Sequence, residues 1–191
     1  MQEHLKKASV NGINLIIDRI KDDFGRLMSD SYGNYFCQSL VRTVGAEQRL
    51  KILQSLSDKF VSVACDSVGT HSMQRLVEQV CEDSEKLVIF NSIVNDVERL
   101  AFHHKGNYVL LTLLSMLKGT ELLTEVVDRL LPRFPQMTLD QLGICLVNKA
   151  IVLVFEESQI AAIIAILAEH IVATIQSPYG NYAINTALEV I

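Results

Sequence analysis

Five glycines recur down this 191-residue chain at a nearly fixed interval, Gly33, Gly69, Gly106, Gly143 and Gly180, in steps of 36, 37, 37 and 37 residues. A period of this size marks a repeat architecture, in which one small unit is copied and stacked. Three copies share almost the same wording: Ser31-Tyr-Gly-Asn-Tyr-Phe36, Lys105-Gly-Asn-Tyr-Val109 and Pro178-Tyr-Gly-Asn-Tyr-Ala183. Three residues before each glycine stand Asp30, Asp66, His103, Asp140 and Ser177. Most are types whose side chains accept from the free amides of a helix start, so a helix should begin beside each glycine.

At about 100° per residue, the positions three, four, seven, eight and eleven after the glycine share one helix face. They are apolar in nearly every copy, for example Val109, Leu110, Leu113, Leu114 and Leu117 in the third. The stretch before the next glycine holds a second helix, such as 46–56, and a shorter third, such as 59–65. With only three prolines and nine glycines, no tryptophan and abundant leucine, isoleucine, valine and alanine, the chain should be all-α. The expected fold is a right-handed curved α-solenoid, or superhelix, of three-helix repeats forming one domain over 1–191. The last core position, Ile191, coincides with the end of the sequence. That pattern points to further sequence, or to a partner covering the open C-terminal end.

Opposite the core stripe lie the positions one, two and five after each glycine. In order they are Asn34, Tyr35, Gln38; Thr70, His71, Gln74; Asn107, Tyr108, Leu111; Ile144, Cys145, Asn148; and Asn181, Tyr182, Asn185. An amide carries a donor and an acceptor, as the edge of an unpaired base demands, and a tyrosine or histidine ring offers a stacking surface. Packed helices lie roughly 8–10 Å apart and duplex bases about 3.4 Å apart. One base per helix therefore requires an opened-out single strand. Arg42 shares this face and is a candidate phosphate contact, whereas Arg49 and Lys51 on the next helix should face outward. An asparagine after glycine also serves as a turn residue, and a neighbouring tyrosine as a packing residue.

The motifs Gly33-Asn-Tyr-Phe-Cys-Gln38, Gly69-Thr-His-Ser-Met-Gln74 and Gly106-Asn-Tyr resemble the repeats of the Pumilio/FBF (PUF) family, and the resemblance extends over nearly the whole chain. The order of repeats is similar to the second to sixth of a fungal-type member. The resemblance implies sequence-selective binding of single-stranded RNA at about one base per repeat, in 3′ untranslated regions, with post-transcriptional repression of translation or message stability. It implies that Asn34 and Gln38 address uracil while Tyr35 stacks, and that Thr70 and Gln74 address adenine while His71 stacks. The strand would run antiparallel to the protein, with the uracil 3′-most. Asn107, Asn181 and Asn185 are further base-edge candidates, and Tyr108 and Tyr182 further stacking candidates. Leu111 and Asn185 stand where the family has glutamine, and the fourth repeat lacks both the first amide and the ring. The serine-glutamate pair with which the family reads guanine is absent from all five.

The formal net charge is −5, and from Leu139 onward a single base, Lys149, faces five acids, so phosphate contacts should lie in the first 138 residues. This balance leaves open a protein-interaction solenoid, or a divergent PUF-like ribosome-biogenesis factor binding RNA with little sequence preference. No phosphate loop, nucleophile elbow or metal-ligand spacing is found, and the pair His103-His104 stands alone, so neither enzyme activity nor a cofactor or metal is expected. Cys37, Cys65, Cys81 and Cys145 form no Cys-x-x-Cys pair and are expected as buried reduced thiols. With no signal peptide or membrane-spanning run in sight, a cytoplasmic protein binding messenger RNA, and neither DNA nor membrane, is the expectation.

Overall fold

The structure is a computed structural model that describes Leu5 and residues 9–190, so the expected core position Ile191 lies outside the described residues. Every regular element in it is helical. The fifteen helices described are α1 (Val10–Ile20), α2 (Phe24–Met28), α3 (Gly33–Val41), α4 (Ala46–Leu56), α5 (Phe60–Ala64), α6 (Gly69–Val77), α7 (Asp83–Ile93), α8 (Val97–Phe102), α9 (Gly106–Met116), α10 (Glu121–Leu130), α11 (Phe134–Met137), α12 (Gly143–Leu153), α13 (Glu157–Glu169), α14 (Ile171–Gln176) and α15 (Gly180–Val190). The chain divides into two compact units, Met1–Asn95 and Asp96–Ile191.

Each repeat is three helices, as the spacing predicts: a short one, a long one that starts at the periodic glycine, and a second long one. In the N-terminal unit the glycine helices α3 and α6 pack on each other, and α4 packs on α7. In the C-terminal unit α9 packs on α12, and α12 on α15. The short helices bring a second periodic signal, nine residues before the glycine, that the glycine register alone overlooks. There stand Phe24, Phe60, Val97 and Phe134, all at most 1% exposed. Burying a large side chain of this kind contributes about 1.5–3 kcal/mol.

The glycines are required by close approach. A Cβ on Gly33 would lie 2.8 Å from the carbonyl oxygen of Leu27, one on Gly69 2.7 Å from that of Val63, and one on Gly143 2.7 Å from that of Met137. The partner is each time the carbonyl six residues back, at the end of the preceding short helix. Only hydrogen at Cα lets the long helix start against it.

The second long helices are joined by buried polar groups one repeat apart. Arg49 does not face outward as expected. It is 6% exposed, its Nε donates to Glu85 Oε1 at 2.6 Å and its Nη2 to Glu85 Oε2 at 3.0 Å, and Glu85 is fully buried. Glu85 also accepts from the backbone N–H of Glu82 at 3.1 Å, so one carboxylate caps α7 and binds the guanidinium of α4. A charged side chain can lie inside here because its planar fork is matched by a bidentate partner. Gln48 Nε2 similarly donates to Asn14 Oδ1, at 3.0 Å, and in the C-terminal unit Gln159 Nε2 donates to Asp128 Oδ1 at 2.7 Å and to Thr124 O at 2.9 Å. Lys51 stands exposed, as expected.

Glu85→Ala leaves a buried guanidinium without its partner, and is expected to lower unfolding free energy by about 3–5 kcal/mol in chemical denaturation. Gly69→Ala forces the new methyl against backbone, and is expected to cost about 1–3 kcal/mol in the same measurement.

Candidate nucleic-acid interface

The helix starts are assembled as the sequence leads one to expect. Asp30 Oδ1 accepts from the N–H of Gly33 at 2.7 Å and of Tyr32 at 3.0 Å. Asp66 Oδ1 accepts from Gly69 at 2.7 Å and Val68 at 2.9 Å, and Asp140 Oδ1 from Gly143 at 2.7 Å and Leu142 at 3.0 Å. The amides of Gly33 and Tyr32 hold the Asp30 carboxyl below the ordinary carboxylate range. Burial pushes the Asp66 carboxyl upward, but the amides of Gly69 and Val68, with Ser29, outweigh it, and its pKa is lowered too.

In the third repeat the same place is taken by His103, whose Nδ1 accepts from Lys105 and Gly106, each at 3.2 Å. An imidazole nitrogen that accepts from two amides is unprotonated, and burial, with the neighbouring charges of His104 and Arg99, lowers its pKa. Ser177 Oγ serves the fifth repeat, accepting from Tyr179 N at 3.2 Å. Among the described residues no group of three His, Cys, Asp or Glu side chains could hold a metal ion. None of the described helices is long and apolar enough to cross a membrane.

With its start fixed, each glycine helix shows one face to solvent. The residue two past the glycine is exposed in every repeat: Tyr35, His71, Tyr108, Cys145 and Tyr182. Tyr35 and His71 hold the same position on packed neighbours in the N-terminal unit, as do Tyr108, Cys145 and Tyr182 in the C-terminal unit. The residue five past the glycine, Gln38, Gln74, Leu111 or Asn148, is half-buried, while Asn185 is exposed. Arg42 is exposed near the end of α3, and Arg75 on α6 is ion-paired with Glu78.

The residue one past the glycine behaves differently from the open-face expectation. Asn34, Thr70, Asn107 and Ile144 are buried, and Asn181 is exposed. Within each unit the next repeat's helix covers this position. Ser72 Oγ on α6 donates to the carbonyl of Asn34, and Asn107 Nδ2 donates to Leu142 O at 3.3 Å. A wheel drawn for one helix cannot show a neighbour lying over its edge, and α15 has no further repeat packed on it among the described residues. In the first repeat Asn34 Nδ2 donates to Asp30 O and Ser31 O, both at 2.9 Å, while Asn34 Oδ1 accepts from Gln38 Nε2 at 3.0 Å. In the second, Gln74 Nε2 donates to Thr70 Oγ1 at 3.2 Å. The buried residue thus holds the glutamine in place beside an exposed ring.

Not all the cysteines are the buried thiols expected. Cys37 is fully buried, Cys65 half-buried, and Cys81 and Cys145 are exposed. Cys145 is at the surface because it occupies the place of a ring, and Cys81 because it lies in the turn before α7.

A repeat array with these side-chain registers resembles those of known RNA-binding repeat proteins. The Pumilio-family RNA binding repeat matches residues 23–57 and 59–94. The chain is 25% identical to Pumilio homolog 12 of Arabidopsis thaliana over 99% of its own length and 32% of that protein's. It is 23% identical to a Pumilio domain-containing protein of Schizosaccharomyces pombe over 99% and 28%. Among solved structures, the Puf4 RNA binding domain bound to the HO endonuclease RNA 3′ UTR recognition sequence superposes with TM-score 0.89 at 24% identity, over 98% of this chain and 58% of that one. Yeast Puf5p bound to AAT2 RNA superposes with TM-score 0.86 at 21% identity, over 98% and 55%. The resemblance read from the sequence is borne out by these matches. The chain spans about a third of the curated relatives' length and just over half of the solved domains.

Burial pushes the Cys37 thiol up to about 12, so it should stay unmodified when the native protein is treated with iodoacetamide at pH 8. Cys81 and Cys145 are expected to be alkylated under the same conditions, and Cys37 only after denaturation, as read by peptide mass spectrometry.

Proposed function

We propose that this chain is a sequence-selective binder of single-stranded RNA that works without catalysis. The observation that carries the reading is the repeated pairing, in the two matched repeats, of an exposed ring with a glutamine held beside it: Tyr35 with Gln38, and His71 with Gln74. Ring and amide together can stack on a base and bond to its edge, the two contacts through which unpaired bases are recognised. Following the family's pattern, the first repeat takes uracil through Gln38, held by Asn34, and the second takes adenine through Gln74, held by Thr70. Tyr182, Asn181 and Asn185 form an exposed set in the fifth repeat, and Arg42, exposed near the end of α3, is our candidate phosphate contact.

The Puf4 domain, whose fold this chain shares, is bound to a 3′ UTR sequence. We place the present chain in the same role, binding the 3′ untranslated regions of messenger RNA in the cytoplasm and lowering their translation or stability. From Leu139 onward a single base faces five acids, which puts the electrostatic part of binding on the first 138 residues.

Selection from a random RNA pool followed by titration tests this reading. Bound sequences should share a uracil, and Gln38→Ala should lose about 1–3 kcal/mol at that base alone. Affinity should fall steeply as salt is raised, through release of counterions. Equal affinity for selected and scrambled oligonucleotides would refute base reading.

A further inference from the structure

The third repeat has the exposed ring of the first two but not their glutamine. Asn107 is 1% exposed, and its two amide hydrogens are both taken by backbone, Ala101 O at 2.9 Å and Leu142 O at 3.3 Å. In the first repeat the corresponding glutamine, Gln38, gives one hydrogen to Asn34 Oδ1 and keeps a second donor and its carbonyl oxygen for other partners. Leu111 stands at that place in the third repeat and has no polar atom. The nearby hydroxyls are turned to their own helix, Thr112 Oγ1 donating to Tyr108 O at 3.0 Å and Ser115 Oγ to Leu111 O at 3.1 Å. What remains open is the Tyr108 ring, 48% exposed.

Resting on the RNA-binding reading above, we propose that the third repeat holds a nucleotide by its flat face alone and accepts any of the four bases. Every base has a π-face, so stacking on Tyr108 contributes affinity with little regard to identity. Discrimination needs a donor or acceptor aimed at the base edge, and this repeat has turned its amide inward and replaced its glutamine by leucine. Asn107 becomes a packing residue joining α9 to the start of α12. Leu111 is the residue that sets the tolerance.

The test uses the full chain and an RNA selected from a random pool. The nucleotide facing Tyr108 is the one at which an abasic substitution weakens binding to the wild type but not to Tyr108→Ala. At that nucleotide the four bases should bind the wild type within about twofold of each other, while Tyr108→Ala and the abasic RNA each lose roughly 5- to 150-fold. Tyr108 is half exposed, so the variant keeps the packing beneath it. Leu111→Gln, which restores the amide, should introduce a preference of about fivefold or more for one base there. A wild-type preference of that size overturns the proposal, as does unchanged binding by Tyr108→Ala. Absence of any RNA binding overturns the reading on which it rests, a result distinguishable because the proposal itself fails only when binding persists.

Discussion

The contact between a bare Cα and a backbone carbonyl six residues behind it sets the geometry of every glycine helix for which it is described. Gly33, Gly69, Gly143 and Gly180 all come so near that carbonyl that a methyl group would collide with it. An Asp side chain three residues earlier then gathers the free amides, as in the first, second and fourth repeats. Together the two features fix where the helix begins and how it is rotated. The direction of the next five side chains follows from that rotation, and so does the exposure of the residue two past the glycine.

Behind this layer, the second long helices are held by polar groups instead of by hydrophobic contact alone. The Arg49–Glu85 pair spans 36 residues, the period of the repeat, and Gln48 and Gln159 make comparable links. Apolar faces of similar shape can slide past each other, whereas a bidentate ion pair has one satisfactory register. Its value to the fold lies in that selection as much as in net stability, since the desolvation of two charges offsets much of their attraction. Glu85 adds a second condition by capping its own helix, so that helix start and repeat register are set by the same carboxylate.

The glycine period, the caps, the three-helix unit and the exposed rings could all be read from residue spacing, because each is local to one helix or recurs at one interval. What escaped depends on neighbouring repeats. Arg49 looks like a surface base on its own helix, and only its partner one repeat away makes burial tolerable. Asn34 and Asn107 look open on a helical wheel but lie under the next repeat of their own unit. Cys145 was expected inside on its residue type, whereas its register puts it where other repeats place a ring. The apolar residue nine before each glycine, phenylalanine in three of the repeats, was visible in the sequence and would have located the short helices.

The buried residue beside each glycine belongs to two tasks at once. Asn34 bonds to backbone carbonyls on one side and to Gln38 on the other, and Asn107 ties its helix to the repeat that follows. A change at Asn34 or Asn107 therefore disturbs the helix start and the packing of the array together. A change at half-buried Gln38, Gln74 or Leu111 removes fewer of these bonds.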